Sequence, residues 1–309
     1  MEVLQDNLIS LVMRTVGGRP REIRRALNSV SANHYRPIEV VVVYQGNDSD
    51  EMRFLKALPD EFSELTIRIL QNAAIGDRRA ENLNIGWEVA RGRYLGFLDD
   101  DDTLEPQHCG LLLNALQNSG HMWSYSQATL RKENEQLAIV AETQPFRRHR
   151  FSVAELWTEN FLPIHSFLVD RANLVSELRE RPFCENLDRS EDWDFLIRLG
   201  FFHEPEVVDV FTCNYYVSTG SRNTNLSLME SEDAAERRQE HNRVAWARCK
   251  ELVEQRKMAL LQRVWWAREL FNGAVPPAEG PDSTEISVNL PGLRRRIVRA
   301  LIRRLERLL

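Results

Sequence analysis

Seven consecutive residues restrict this chain more than any others: Pro37-Ile38-Glu39-Val40-Val41-Val42-Val43. A β-branched run almost unbroken by polar residues is a strand covered on both faces, the condition met in a parallel sheet with helices on each side. The flanking segments agree. Residues 9–13, Ile-Ser-Leu-Val-Met, have strand length and end at Arg14-Thr15-Val16-Gly17-Gly18-Arg19-Pro20. The two glycines permit a tight turn, and Pro20 suits the first turn of a helix. Ile23, Ala26, Leu27 and Val30 follow at helical spacing, the buried stripe of an amphipathic helix. Tyr44-Gln45-Gly46-Asn47-Asp48 reads as a turn, 51–58 as a short helix, 65–70 as a third strand, 79–91 as a helix and 93–98 as a fourth strand. Strands alternating with helices at this spacing predict a parallel α/β sheet. Ligands in such sheets bind beyond the carboxyl ends of the strands, where the Gly17-Gly18 loop and the Gln45-Gly46-Asn47 turn both fall.

The fourth strand ends in Asp99-Asp100-Asp101-Asp102. Four adjacent carboxylates repel one another, and a cation at the strand end would relieve them. Carboxylate oxygens suit Mg²⁺ or Mn²⁺, and Mg²⁺ commonly takes one or two of them together with substrate phosphates. The other reading is a solvated acidic loop, 103–106 then leading into a helix. Further on, 109–116 reads as a helix, 122–130 and 137–141 as strands of a mixed region, 165–169 as a strand and 171–178 as a helix. Ser190 is placed to cap a helix that begins Glu191-Asp192-Trp193-Asp194. Acids in a first turn complement the helix dipole without any further role. Residues 207–217 read as a strand and 218–225 as a polar loop. The four cysteines are far apart and form no C-x-x-C pair, which suits free thiols in a reducing compartment. Met1 to Asp6 has neither the basic nor the apolar region of a signal peptide. No run approaches the roughly 20 apolar residues that span a bilayer.

Several of these pieces, in order, resemble the inverting family 2 glycosyltransferases with the GT-A fold. The first-strand segment Ile9 to Thr15 is similar to the family's opening. Ala26-Leu27-Asn28-Ser29-Val30, followed by the second strand, matches its helix and strand. Asn84-Ile85-Gly86, then Ala90-Arg91-Gly92-Arg93-Tyr94-Leu95-Gly96-Phe97-Leu98 into the aspartates, is the most specific match, and Glu191-Asp192 resembles the family's acceptor-side E-D pair. The resemblance covers about residues 8 to 225. It implies a Rossmann-like, mostly parallel sheet flanked by helices, with a helical C-terminal extension. It departs from the family in two places: Tyr44 and Gln45 stand where an acidic pair is usual, and Arg14-Thr15-Val16-Gly17 replaces P-T-x-N. Tyr44 could stack on a base, and Gln45 offers a donor and an acceptor.

The resemblance implies transfer of a sugar from a nucleotide diphosphate sugar to a saccharide or lipid-linked acceptor, in cell-surface polysaccharide or glycolipid assembly. Asp101 and Asp99 would hold Mn²⁺ or Mg²⁺. Thr15, Tyr44, Gln45, Arg78, Asp99 and Asp100 would bind the donor, with Arg79 a less favoured substitute for Arg78. Asp192 would be the catalytic base and Glu191 would orient the acceptor. His165 and His203 are left unassigned. A silent nucleotide- or glycan-binding module on the same fold is the alternative.

The chain divides into 1–228 as the GT-A domain, 229–275 as a helical extension, 276–292 as a Pro/Gly-rich linker and 293–309 as a basic amphipathic helix. From Arg294 onward there are seven Arg and one Glu, a balance of +6, so the rest carries −12 of the net −6. An acidic main body excludes a nucleic-acid surface there. Ile297, Leu301, Leu305 and Leu308 repeat along one face of the tail, with arginines on the other. This pattern fits a helix lying in a membrane interface, or one docked on the acidic body or on a second copy of the chain. The expected location is cytoplasmic, with the tail a peripheral contact on the inner face of the plasma membrane. A homo-oligomer is the partner state the docking alternative implies.

Overall fold

The computed structural model describes residues 4–187, 189–218, 243–244 and 247–263. Strand β1 (Gln5–Thr15) is followed by α1 (Pro20–Ser31), β2 (Ile38–Gln45), α2 (Ser49–Glu61), β3 (Thr66–Asn72), α3 (Arg79–Val89) and β4 (Gly92–Phe97). β1 pairs in parallel with β2 on one side and β4 on the other, and β3 extends the sheet beyond β2. Pro20 opens α1, which buries Ile23, Ala26, Leu27 and Val30 as the spacing predicts.

The valine run is covered on both faces. Val40 and Val42 join one apolar layer with Leu11, Met13 and the buried stripe of α1. Val41 and Val43 join the other with Val12 and with Ala80, Leu83 and Trp87 of α3. All four valines are fully buried. Together they contribute on the order of 6 kcal/mol before the entropy of ordering the chain is set against it.

The second half contains β5 (Thr103–Leu104), α4 (His108–Ser119), β6 (Trp123–Glu133), β7 (Ile139–Thr143), α5 (Val153–Thr158), β8 (Phe167–Asp170), α6 (Glu191–Phe202) and β9 (Glu206–Ser218). The sheet runs β3-β2-β1-β4-β8-β6-β9-β5, with β7 on a side edge of β6. β8 lies antiparallel to β4, so the sheet changes character there. β6 is antiparallel to β7 and β8 and parallel to β9. The sheet is mixed, its longest ladders are parallel, and helices cover both faces.

Several elements depart from the sequence expectation. β1 runs on through Arg14 and Thr15, because Thr15 stays in register with Tyr44. Thr103 and Leu104 form a short strand against Asn214 and Cys213, a pairing that no local signal announces. α5 was not expected. The helix expected over 171–178 is instead two 3-10 turns, Arg171–Asn173 and Ser176–Leu178. Between them Leu174 and Val175 are extended. The Asp170 carboxylate accepts from the Ala172 N–H at 3.0 Å, giving the backbone a local alternative to helix. Extension there also lets Leu174 and Leu178 both reach the apolar layer below.

Residues up to Cys249 form one compact unit, and the chain from Lys250 a second. Within the extension expected over 229–275, residues 243–244 and 247–263 are helical. The polar loop beyond Ser218, the linker over 276–292 and the basic tail over 293–309 lie outside the described residues. The cysteines are free thiols, with Cys109, Cys213 and Cys249 buried. Among the described residues no helix is long and apolar enough to cross a membrane.

Candidate active site

The end of β1 turns sharply through Gly17 and Gly18, whose φ angles of 82° and 74° lie in the left-handed region. A Cβ on Gly17 would also come within 2.6 Å of the Glu51 side chain. Around this turn, Arg14, Thr15, Arg19 and Arg25 reach Asp99, Asp100 and Asp101 at the end of β4.

Each aspartate is held differently. Arg14 grips Asp99 with two bonds, Nε to Oδ1 at 2.8 Å and Nη2 to Oδ2 at 3.2 Å. Its remaining nitrogen, Nη1, donates to Glu191 Oε1. Asp100 accepts from Thr15 Oγ1 at 2.5 Å and from Arg19 Nη1 at 3.1 Å. Asp101 accepts from the same Arg19 nitrogen at 2.6 Å, and its carbonyl accepts from Arg25 at 2.5 Å. Asp102 points the other way. It accepts from the Tyr216 N–H at 2.8 Å, and its Oδ2 lies 2.9 Å from His165 Nδ1 without the alignment of a hydrogen bond.

The electrostatics separate these groups. Burial raises Asp99, but the Arg14 fork outweighs it and holds the carboxyl below its ordinary range. Burial pushes Asp100 up to about 6, with Arg19 and Thr15 opposing and Asp99 adding repulsion. Asp101 is raised well above its usual value by burial and by Asp102 and Asp100. Its side chain is still 32% exposed, so water moderates that shift. Asp102 is raised by burial, against the pull of His165. His165 is itself raised, because Asp102 outweighs the cost of burying the imidazolium.

The acceptor-side pair sits across Arg14. Glu191 is 2% exposed and ion-paired with Arg14. Asp192 is half-buried; Oδ1 accepts from the Trp193 N–H at 2.8 Å and Oδ2 from Asn160 Nδ2 at 3.3 Å. Burial, then repulsion from Glu191, pushes Asp192 up to about 6, with Arg14 pulling it down. Ser190 does not cap the helix as expected. It sits at φ 60° and makes no side-chain capping bond to the helix. Glu191 turns instead toward Arg14, and Asp194 bonds Arg198 at 2.6 Å.

Thr15, Asp99, Asp100, Asp101, Glu191 and Asp192 therefore gather around Arg14 and Arg19. Three other sequence candidates do not join them. Tyr44 is 2% exposed and packs beneath Gly46, where its hydroxyl accepts from the Asp48 N–H at 3.3 Å. It is not available to stack on a base. Gln45 braces the neighbouring loop, donating to the Gly76 carbonyl at 2.5 Å and accepting from Asn82 at 3.1 Å. Arg78 is 46% exposed and turns toward Glu81 and the Ile75 carbonyl. Arg79, bonded to Asp77, is the cation of that pair whose field reaches Glu191 and Asp99. His203 accepts from the Val175 N–H beyond the far end of α6.

Sequence reasoning missed Arg14, Arg19, Asn160 and Tyr215, and left His165 unassigned. The first two were legible as cations at the end of a strand adjacent to an acidic run. Asn160 gave no signal. Tyr215 stacks on His165 with ring centres 6.0 Å apart, and burial with four surrounding carboxylates pushes its phenol up to about 12.

Among the described residues no three His, Cys, Asp or Glu side chains converge to hold a metal. Asp99 and Asp101 nonetheless suit a hard divalent cation. They offer only carboxylate oxygens, and Asp100 and Asp102 beside them add further carboxylates to the same short loop. Two such ligands suffice where substrate phosphates complete the shell.

Residues 10–174 match the family model described as glycosyl transferase family 2. An uncharacterised glycosyltransferase of Methanocaldococcus jannaschii is 21% identical over 73% of this chain and 75% of its own. One from Haemophilus influenzae is 24% identical over 59% of this chain and 58% of its own. Among solved structures, S. aureus TarS 1-349 in complex with UDP superposes with a TM-score of 0.52 at 15% identity, covering 69% of this chain and 61% of that one. The same fragment with UDP-GlcNAc gives 0.52 at 16% identity, covering 71% and 61%. A longer TarS chain is spanned only to 36% of its length. These likenesses show the GT-A fold.

Proposed function

Since the chain belongs to glycosyl transferase family 2, we propose that it transfers a sugar, with inversion, from a nucleotide diphosphate sugar to a saccharide or lipid-linked acceptor. The observation that carries this is the Asp99–Arg14–Glu191 bridge: one guanidinium joins the donor-side carboxylate to the helix that bears Asp192. The TarS complexes with UDP and UDP-GlcNAc support a nucleotide-sugar donor and make UDP the first probe.

Asp192 takes the proton of the acceptor hydroxyl as its oxygen attacks the anomeric carbon. The bond from that carbon to the diphosphate breaks, and the nucleoside diphosphate leaves. With a pKa near 6, Asp192 is ionised at neutral pH yet more basic than an ordinary carboxylate, which is what general-base work asks. Asn160 and the Trp193 N–H fix its two oxygens, and Arg14 holds Glu191 in place beside it. Thr15 and Arg19 orient Asp100, and Gln45 holds the 74–76 backbone. Mn²⁺ or Mg²⁺, held by Asp99 and Asp101, would neutralise the leaving diphosphate as a Lewis acid. The tail over 293–309 would add a peripheral contact with anionic lipid, suited to a lipid-linked acceptor at a cytoplasmic membrane face.

Calorimetry with UDP tests the donor site. Binding should collapse in EDTA and return with Mn²⁺, and Asp101→Ala should lose both cation and nucleotide. Undiminished UDP binding in EDTA would remove the cation from the reading. Failure of every nucleoside diphosphate to bind in Mn²⁺ would remove the donor itself.

A further inference from the structure

Arg14 stands apart from the other cations near the aspartates. Arg19 contacts two neighbouring aspartates of the same loop, and Arg25 a backbone carbonyl and Glu133. Arg14 joins the Asp99 carboxylate to Glu191, the first residue of the helix that bears Asp192, through the three nitrogens of its guanidinium. Its side chain is 17% exposed, Asp99's 24% and Glu191's 2%. Both oxygens of Asp99 are therefore occupied by the same fork. A bidentate, charge-assisted pair at a half-buried site is among the stronger polar contacts a protein makes. A cation that takes Asp99 competes with this fork for the charge and lone pairs of the same two oxygens.

We infer that Arg14 is a positioning residue that competes with the divalent cation for Asp99: loading the cation frees Asp99 from the fork, while Arg14 remains on Glu191. This rests on the reading of Asp99 and Asp101 as the cation's ligands. The geometry supports the unequal hand-over. Asp99 is the more exposed partner and stands beside three other carboxylates, so a divalent ion gains there what the guanidinium gives up. Glu191 is almost fully buried, and among the described residues no other cation lies within bonding distance of it, so releasing it would leave a buried carboxylate without its partner. Arg14 thus keeps the acceptor-side helix in place in both states, and the cation meets an energetic cost that depends on this one side chain.

The consequence is opposite in sign to that of an ordinary structural arginine. Removing the fork makes Asp99 available, so Mn²⁺ binds more tightly even as the fold loses a contact. The test titrates Mn²⁺ alone into the full chain, following the free Mn²⁺ signal by electron paramagnetic resonance, with thermal melting in EDTA alongside. Arg14→Gln should bind Mn²⁺ at least about tenfold more tightly, the scale set by the charged hydrogen bonds no longer broken first. It should melt lower in EDTA than the parent. Arg14→Lys keeps the charge but cannot grip both oxygens and Glu191 together, so it should also bind Mn²⁺ more tightly, by a smaller factor. Because it retains the cation, it is the variant that guards against loss of folding. Tighter binding in Arg14→Gln with none in Arg14→Lys would assign the effect to charge alone and overturn the competition. Unchanged or weaker Mn²⁺ binding in both folded variants would overturn it outright. Mn²⁺ binding by neither parent nor variants would defeat the cation reading beneath it, a result distinct from the other two.

Discussion

Replacing Asp192 by Asn should make the protein more stable at neutral pH while it abolishes most of the turnover. Asp192 is held near pH 6 against an ordinary 3.8 by burial and by Glu191. A folded-state pKa above the unfolded one means that folding favours the protonated form. The stability this gives is full below 3.8 and is lost as pH rises through about 6. The displacement corresponds to about 3 kcal/mol. Asp192 is only half-buried, so screening reduces this to about 1–2 kcal/mol. Asn has the same shape, can still accept from the Trp193 N–H, and carries no charge for Glu191 to repel. Relative to the parent in EDTA, Asp192→Asn should therefore gain about 1–2 kcal/mol between pH 4 and pH 7, a rise of a few degrees in Tm. The assay is thermal melting at half-unit pH steps, paired with turnover of a UDP-sugar, which should fall by about 10²-fold. A stability difference that does not change between pH 4 and 7 would refute the electrostatic reasoning. Near-normal turnover would return Asp192 to the role of a dipole partner at the helix start.

Two further outcomes follow from the geometry. Tyr44→Phe should leave UDP affinity unchanged and cost about 1 kcal/mol in denaturant unfolding, since the ring is buried and only the contact to the Asp48 N–H is lost; a loss of nucleotide affinity would place the ring against the nucleotide after all. Ending the chain after Pro291 should abolish co-sedimentation with anionic vesicles and leave UDP binding intact; equal vesicle binding by both chains would assign the tail to protein docking.

What could be read from the sequence was whatever local pattern determines. The uninterrupted valines required cover on both faces, and the spacing of Ile23, Ala26, Leu27 and Val30 fixed the face of α1. The four aspartates marked the site because their mutual repulsion is a property of adjacency. Contacts between distant residues were not legible. Thr103 and Leu104 are a strand only because Cys213 and Asn214 lie beside them. Tyr44 was expected to face a nucleotide because it stands where the family has an acidic residue, but the Gly46 backbone closes over its ring. Arg78 and Arg79 are indistinguishable in a sequence, and the start of α3 decides which one faces the acids. Ser190 has the composition of a cap, yet the pull of Arg14 on Glu191 goes with a left-handed backbone and no capping bond.

The change of strand direction at β4 bears on how such a chain can diversify. Everything that grips Asp99, Asp100 and Asp101 comes from residues 14–101, whereas Asn160, Glu191 and Asp192 come from the later segment that joins through β8. The two proposed substrates are thus addressed by consecutive, nearly non-overlapping stretches of polypeptide. Divergence in the later stretch can retune the acceptor while the donor grip is inherited intact, provided that Arg14 still finds an acid at position 191. That pairing is one place where the two stretches must change together.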